Sequence, residues 1–222
     1  MTNRQVLIES LPTEHLSENN FKIVEDQIPS IDENEVLCRT LLVTIAAGSR
    51  AGLQGSASYA GAPQTGVVMN ATGVCRIEAS KSEEFLEGDL VVCQSGWQDY
   101  SSQKATQCQK IVDDVDLKHY LGALGTNGLT AYFGLHRVAQ PSPGETLLVS
   151  AAAGSVGHLV GQFAKIIGCH TVGIAGSEEK CVQVRKRLGF DKAVSYRSEN
   201  FRNELKETCS KGVDIYFDNV GG

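Results

Sequence analysis

The sequence predicts an α/β protein with two domains, a mainly-β domain over residues 1–120 and an incomplete parallel sheet with helices over residues 121–222. Two patterns lead to this assignment. Short strands separated by turns fill the chain up to about residue 110, and strands then alternate strictly with helices. The chain has 222 residues, of which 41% are hydrophobic, so it can bury a proper core.

The first half contains four segments with the β-branched and apolar composition of strands. Gly-Asp, Ser-Gly and Gly-Ala-Pro turn signals separate them. Several short strands at this spacing predict a small barrel or sandwich. The predicted strands cover residues 36–43, 66–69, 73–77 and 89–93.

The second half begins with helical spacing over residues 117–138, with interruptions predicted at Gly125 and Gly128. Four apolar strands then alternate with three helices, which indicates βαβ units and a Rossmann-type parallel sheet covered on both faces. The predicted strands cover residues 146–150, 170–174, 193–196 and 213–217, and the predicted helices cover 155–167, 178–188 and 200–209.

Composition and charge exclude several functional classes. No apolar run reaches the 18 or so residues of a membrane helix, and the polar first residues lack a signal-peptide core, so a cytoplasmic protein without membrane partners is expected. A net charge of −6 argues against nucleic-acid partners. The seven cysteines are odd in number and include no C-x-x-C pair, so we expect reduced thiols and no zinc or other metal site.

The first strand–helix turn of the parallel sheet has the glycine pattern of a dinucleotide site. Gly154 and Gly157 occupy the second and third glycine positions of G-x-G-x-x-G, and Ala152 takes the first. The turn follows a strand, opens a helix and heads a βαβ unit, where backbone amides would meet a pyrophosphate. The alternative is a small-residue turn that binds nothing.

The end of the next strand favours NADP over NAD. An NAD site places a carboxylate there for the ribose 2′-hydroxyl, whereas this chain has Ala175-Gly176-Ser177, followed by Lys180. A 2′-phosphate would attract that lysine and small donors. Glu178 and Glu179 are contrary observations, although acids also suit a helix N-terminus, and Lys180 could equally be a solvated helix lysine.

Four stretches resemble the zinc-free medium-chain dehydrogenases/reductases, and more narrowly the prostaglandin reductase and leukotriene B4 12-hydroxydehydrogenase group, which includes plant double-bond reductases. The resemblance implies a GroES-like β-barrel domain before the Rossmann domain. It also implies hydride transfer from NADPH to the carbon–carbon double bond of small-molecule α,β-unsaturated ketones or aldehydes. The stretches are residues 95–100, 124–135, 151–162 and 216–222.

The resemblance also implies roles for nine residues. One lines the substrate cleft and is the catalytic candidate, with a surface turn tyrosine as the equal alternative; the others contact the cofactor. Two of the cofactor residues have a purely structural alternative: Tyr196 as a core residue at a strand end, and Asn219 as a turn residue. They are Tyr59 in the cleft; Gly154, Ser155, Val156 and Gly157 at the pyrophosphate; Lys180 and Tyr196 at the 2′-phosphate and adenosine; and Thr130 and Asn219 near the nicotinamide.

Two departures from the family bear on activity. Ala46-Ala47-Gly48-Ser49-Arg50 replaces an Asp-Pro-Tyr-Met-Arg stretch, and Thr126-Asn127 replaces a Met-Pro or Met-Thr pair, which leaves the substrate preference open. Relatives also continue beyond Gly222 with further Rossmann strands. With strand order 3-2-1-4, the fourth strand would be an open edge. We therefore expect part of the NADP site, poor or no enone reduction, and no family-type homodimer.

Three other functions stay open at this point. A quinone reductase of the same superfamily shares the glycine turn but normally lacks the Tyr-Phe-Asp-Asn-Val-Gly-Gly stretch of residues 216–222. A non-catalytic NADP-binding or partner-binding module would bind NADPH without turnover. A folded domain with an empty site would bind nothing.

Overall fold

The chain folds into two compact units, Met1–Leu121 and Gly122–Gly222, each with its own buried core. The structure is a computed structural model and describes residues 1–55, 62–112 and 114–221. The first unit is mainly β and the second holds a parallel sheet with helices, so the predicted fold class is confirmed.

Antiparallel strands form most of the first unit. Five of them make one sheet in the order β6-β3-β4-β5-β7, and β1 pairs with β2 in a separate hairpin. Two short helices lie at the ends of loops, α1 (Ala47–Leu53) and α2 (Lys118–Leu121). The strands are β1 (Asn3–Ile8), β2 (Phe21–Asp26), β3 (Glu35–Val43), β4 (Gly73–Ser80), β5 (Leu90–Cys93), β6 (Tyr100–Lys104) and β7 (Gln109–Lys110).

The core of the first unit follows from strand alternation. Val36 and Cys38, two residues apart on β3, are fully buried, and Cys75 and Ile77 repeat this spacing on β4. Because successive side chains of a strand point to opposite faces, each pair contributes to the same inner face. That face is lined by small apolar side chains and by thiols.

The predicted strand over residues 66–69 is wrong. Only Val68 forms a β-bridge there, to Leu7, and the chain around it makes three backbone hydrogen bonds to β1 without becoming a regular strand. The physical reason is Gly66, whose φ of +76° is left-handed and interrupts the extended conformation that a strand requires.

The second unit contains four parallel strands in the order β10-β9-β8-β11, which is the predicted order 3-2-1-4. All four residues of the central strand β8 are buried, as expected of a parallel strand covered on both faces. The strands are β8 (Thr146–Val149), β9 (His170–Ala175), β10 (Lys192–Ser195) and β11 (Ile215–Phe217), and the helices are α3 (Thr126–Phe133), α4 (Gly157–Ile167), α5 (Glu178–Lys186) and α6 (Phe201–Thr208).

Two helix predictions need correction. Gly128 does not interrupt the helix, since it lies inside α3, where a Cβ would come within 1.7 Å of the Ala123 carbonyl oxygen. It is therefore a packing glycine rather than a helix breaker. The helix predicted from Ser155 begins two residues later, at Gly157. No helix among the described residues is both long and apolar enough to cross a bilayer.

Candidate functional site

The turn between β8 and α4 is held against the sheet by its own backbone. The N–H of Ala152 donates to the carbonyl oxygen of Ile174 on β9 at 2.9 Å, and the N–H of Gly154 donates to the carbonyl oxygen of Ala151 at 2.8 Å. Ala151 has a left-handed φ of +45°, which is uncommon for a residue with a side chain. The turn is thus a fixed loop at the carboxyl end of the sheet.

Three consecutive amides of this turn have no acceptor. Within the part of the chain that the structure describes, no acceptor is bonded to the N–H groups of Ser155, Val156 and Gly157. The helix also lacks a side-chain cap at its N-terminus, and Ser155 is exposed. Adjacent free amides at a helix N-terminus form a binding site for an anion such as a phosphate.

Gly157 is the residue that this geometry requires. A Cβ at this position would come within 2.4 Å of the Ala151 carbonyl oxygen and 3.1 Å of the Ala152 Cα. Both contacts are to backbone, so no side chain can rotate away to relieve them. The turn can keep its shape only with glycine here, which agrees with the close-packing role of the third glycine in a dinucleotide turn.

The carboxyl ends of β9 and β10 bring further candidate residues to the same edge of the sheet. The Tyr196 ring lies over Gly176, where a Cβ would be 3.2 Å from the Tyr196 hydroxyl oxygen. Ser177 caps α5, its Oγ accepting the N–H of Lys180 at 3.3 Å, and the Lys180 side chain is exposed. The Arg197 guanidinium carbon lies 5.8 Å from the centre of the Tyr196 ring.

The acidic side chains near this edge, which would repel a 2′-phosphate, are partly neutralised. The Glu178 carboxylate accepts a hydrogen bond from Arg185 at 2.9 Å within the same helix. Its negative charge is therefore offset locally, although an exposed ion pair of this kind contributes little to stability. Glu179 is exposed at the next position.

A compact polar network joins the ends of β8 and β11. The Ser150 hydroxyl donates to Asp218 Oδ1 at 2.6 Å, and the backbone N–H of Asn219 donates to Ser150 Oγ at 2.7 Å. The Asn219 side-chain amide donates to the Ser150 carbonyl oxygen at 3.0 Å. Asp218 also accepts the N–H groups of Val220 and Gly221 and the hydroxyl of Tyr216. Asn219 thus lies in a turn, and its backbone and side chain are both held by hydrogen bonds to Ser150.

This network lowers the pKa of Asp218 to about 2, chiefly through the Ser150 hydrogen bond and then through the Val220 amide. An unfolded aspartate has a pKa of about 3.9, so the folded state holds the proton less tightly. The stability that Asp218 contributes is therefore fully present above about pH 3.9 and is lost as the pH falls through about 2.

We predict that Asp218→Asn removes this acid-sensitive component, because the amide cannot change its charge. Unfolding of the wild type and the variant, compared from about pH 5 to about pH 2, should show a steeper loss of stability in the wild type. Glu179→Gln, which removes an exposed carboxylate from the same unit, is the control for the loss of one negative charge. Parallel curves for wild type and Asp218→Asn would contradict the prediction.

One predicted site residue, Thr130, is not joined to this edge by a hydrogen bond in the described part of the chain, and another lies outside the described residues. Thr130 lies on α3 with its hydroxyl donating to the Thr126 carbonyl oxygen at 2.7 Å, a bond within its own helix. Tyr59 falls outside the described residues. Their roles at the nicotinamide and the substrate stay predictions.

Sequence reasoning gave no role to Ser150, Asp218 or Arg197. The available signal for Asp218 was an aspartate directly after a strand and before Asn-Val-Gly-Gly, a composition typical of turns in which the side chain bonds its own backbone. Arg197 directly follows the predicted Tyr196 after β10, as Lys180 follows the end of β9, so it adds a second cation after the carboxyl ends of these strands.

Two family models match the chain. One is described as the N-terminal domain of oxidoreductase and matches residues 4–111; the other is described as zinc-binding dehydrogenase and matches residues 155–222. Within the described part of the second segment, no three His, Cys, Asp or Glu side chains are grouped to hold a metal. The described residues of this segment therefore do not fit a zinc ion.

Individual relatives are more than a third identical to the chain over the aligned residues. It is 39% identical to 2-alkenal reductase (NADP(+)-dependent) of Nicotiana tabacum, over 100% of this chain and 67% of that protein. It is 38% identical to prostaglandin reductase 1 of Bos taurus, over 92% of this chain and 61% of that protein. The chain therefore spans 61% to 67% of the length of these two relatives.

A solved structure agrees with the whole described fold. CurA from Vibrio vulnificus in complex with NADPH is 37% identical, with a TM-score of 0.92 over 99% of this chain and 65% of that one. Fold, motifs and sequence identity agree, and the predicted resemblance is confirmed. The chain belongs to the zinc-independent medium-chain dehydrogenase/reductase family, alongside the alkenal and prostaglandin reductases.

Proposed function

We propose that this chain binds NADPH and acts as a reductase of the carbon–carbon double bond in α,β-unsaturated ketones and aldehydes. The observation that carries the proposal is the turn between β8 and α4, in which three adjacent amides have no acceptor among the described residues. Beside it, β9 ends without the carboxylate that an NAD site would place there. The named activities of its relatives, an alkenal reductase and a prostaglandin reductase, support the substrate class.

The second unit supplies the cofactor contacts of the proposal. The amides of Ser155, Val156 and Gly157 would bind the pyrophosphate, since they are free and adjacent. Lys180 and Arg197 would bind the 2′-phosphate because they are the cations that follow the ends of β9 and β10. Tyr196 would contact the adenosine with its half-exposed ring.

The chemistry needs few side chains. When bound, NADPH supplies the hydride that adds to the β-carbon of the enone. Asn219 would orient the nicotinamide end, and its hydrogen bonds to Ser150 keep it in place for that role. Thr130 would lie near the nicotinamide. Tyr59 is the proposed hydrogen-bond donor to the carbonyl oxygen, where negative charge develops as the enolate forms.

We place the protein in the cytosol. All seven cysteines are free thiols. Cys75 and Cys93 have sulfur atoms only 3.7 Å apart and still form no disulfide. A reducing compartment keeps such thiols reduced.

Lys180→Ala should weaken NADPH binding by about tenfold, or about 1.4 kcal/mol, and leave NADH binding nearly unchanged. The reason is that only NADPH carries the 2′-phosphate that Lys180 would contact. Lys186→Ala removes the same charge from the opposite end of the same helix and is the matched control. Fluorescence titration with both cofactors measures the effect, and equal weakening of NADPH and NADH binding would refute the assignment.

The activity is tested by following NADPH oxidation by the purified 222-residue chain with 2-nonenal, a 15-oxoprostaglandin and 1,2-naphthoquinone. Of the two outcomes expected from the sequence, poor or no enone reduction, the proposal commits to the first. We expect slow enone-dependent oxidation that exceeds oxidation with the quinone. Faster quinone reduction would favour a quinone reductase instead. NADPH binding without any turnover would identify a non-catalytic NADP-binding module, and either result would overturn the proposed reaction.

A further inference from the structure

Four cysteines that are far apart in sequence meet in the core of the first unit. Cys38 lies on β3, Cys75 on β4 and Cys93 on β5, and Cys108 directly precedes β7. Cys38 and Cys75 are fully buried, Cys93 is 4% exposed and Cys108 is partly buried. The sheet order β3-β4-β5-β7 makes their strands neighbours, so the fold places these thiols side by side.

The strand register explains why Cys93 and Cys108 lie close together. β5 pairs with β7 with Val91 opposite Lys110 and Val92 opposite Gln109, so the antiparallel register continues to Cys93 opposite Cys108. Alternation puts both cysteines on the inner face. The expectation of no metal site came from the absence of C-x-x-C pairs, which cannot detect such a cluster because its members come from different strands.

The sulfur atoms have the separations of a metal site. The Sγ atoms of Cys38, Cys93 and Cys108 all lie within 4.8 Å of one another. The Sγ atom of Cys75 lies 3.7 Å from that of Cys93. A tetrahedral zinc ion with Zn–S bonds of about 2.3 Å requires sulfur atoms about 3.8 Å apart. The cluster needs only a small contraction to meet this requirement.

The surroundings select the kind of ion. The cluster is packed among Val36, Ile77, Phe85 and Val91, which offer no oxygen ligands. Mg²⁺ and Ca²⁺ require oxygen ligands, whereas soft thiolates select zinc and other thiophilic ions. Three thiolates on a divalent ion carry one net negative charge. The Cys75 sulfur lies beside that of Cys93 and is not one of the three that lie within 4.8 Å of one another.

We propose that Cys38, Cys93 and Cys108 form a site for a thiophilic ion of the Zn²⁺ class. Binding of Zn²⁺ to the three thiols forms three Zn–S bonds and releases three protons to solvent, with no change of oxidation state. The partly exposed Cys108, beside the two-residue edge strand β7, gives the ion its route of entry. The site lies in the first unit and does not depend on the proposed reductase function.

The test is a titration of the reduced, chelator-treated chain with Co²⁺, followed by Zn²⁺. We expect one Co²⁺ per chain, an intense sulfur-to-cobalt charge-transfer band, the visible bands of tetrahedral cobalt, and loss of both on adding Zn²⁺. Cys108→Ser should weaken Co²⁺ binding at least a hundredfold, since removal of outer-shell partners alone costs about 10–100-fold. Cys209→Ser, at another partly buried cysteine in the second unit, is the matched control.

Absence of the charge-transfer band, its survival in Cys108→Ser, or its loss in Cys209→Ser would overturn the proposal. If Cys108→Ser does not fold, as judged by circular dichroism, thiol alkylation of the wild type decides the question. Zn²⁺ should then protect the partly exposed Cys108 and leave the equally partly exposed Cys209 reactive. Equal alkylation of Cys108 with and without Zn²⁺ would contradict the site.

Discussion

Gly157→Ala should reduce NADPH affinity at least about a hundredfold, because the added methyl group would displace the turn that binds the pyrophosphate. Its Cβ would meet the Ala151 carbonyl oxygen at 2.4 Å and backbone atoms of Ala152 at 3.1 Å. Neither contact can be relieved by rotating a side chain. The turn must therefore move, and the free amides of Ser155 and Val156 move with it. Fluorescence titration of the variant with NADPH measures the loss.

Gly189→Ala is the matched control for this variant. Gly189 has a left-handed φ of +76°, so alanine there costs about 1–2 kcal/mol of backbone strain. A Cβ at Gly189 would meet no atom within 4 Å. Gly189 precedes β10 and so lies at the amino end of that strand, whereas the turn lies at the carboxyl end of the sheet. This variant should lose stability and keep NADPH affinity. Wild-type affinity in Gly157→Ala, or an equal loss of affinity in Gly189→Ala, would contradict the role assigned to the turn.

Gly161→Ala should destabilise the second unit by about 3 kcal/mol, the upper end of the cost of overpacking a core. Gly161 lies on α4, and a Cβ there would come within 1.8 Å of Cζ and 2.2 Å of Cε2 of Phe190. The Phe190 ring is only 4% exposed and is packed among core residues, so it has little room to move. Urea titration followed by hydrogen exchange in β8 and β9 reports the stability of this unit alone.

A double-mutant cycle separates this clash from other effects. Phe190→Leu alone should destabilise the unit by leaving a cavity, but it removes the ring atoms that the alanine would meet. The combined variant Gly161→Ala/Phe190→Leu should therefore lose at least about 1 kcal/mol less than the sum of the single variants. Strictly additive losses would show that Gly161 is required for a reason other than the Phe190 ring.

The parallel sheet could be predicted from sequence because its strands are continuous apolar runs. β8 is buried at all four positions and stands between turn signals, so its existence and its place in the order were both predicted correctly. The strands β1, β2, β6 and β7 were missed. β6 reads Tyr-Ser-Ser-Gln-Lys and β7 has two exposed polar residues, so neither shows the apolar alternation that identifies a strand.

The candidate site was predictable only where its signal is local. The glycines at 154 and 157 and the missing carboxylate after β9 can be found in short stretches of sequence. The bond between Ser150 and Asp218 joins residues 68 positions apart. It exists because β11 pairs with β8, with Phe217 opposite Val149. The thiol cluster likewise depends on strand register, which sequence spacing does not specify.

The most direct test of the central claim is an equilibrium titration of the purified 222-residue chain with NADPH, repeated with NADH. Nicotinamide fluorescence follows binding, and circular dichroism confirms that the strands and helices are present. The proposed site predicts saturation at one NADPH per chain, weaker binding of NADH, and competition by adenosine nucleotides that carry a 2′-phosphate. A folded chain that shows no saturable NADPH binding, or that binds NADH equally tightly, would contradict it.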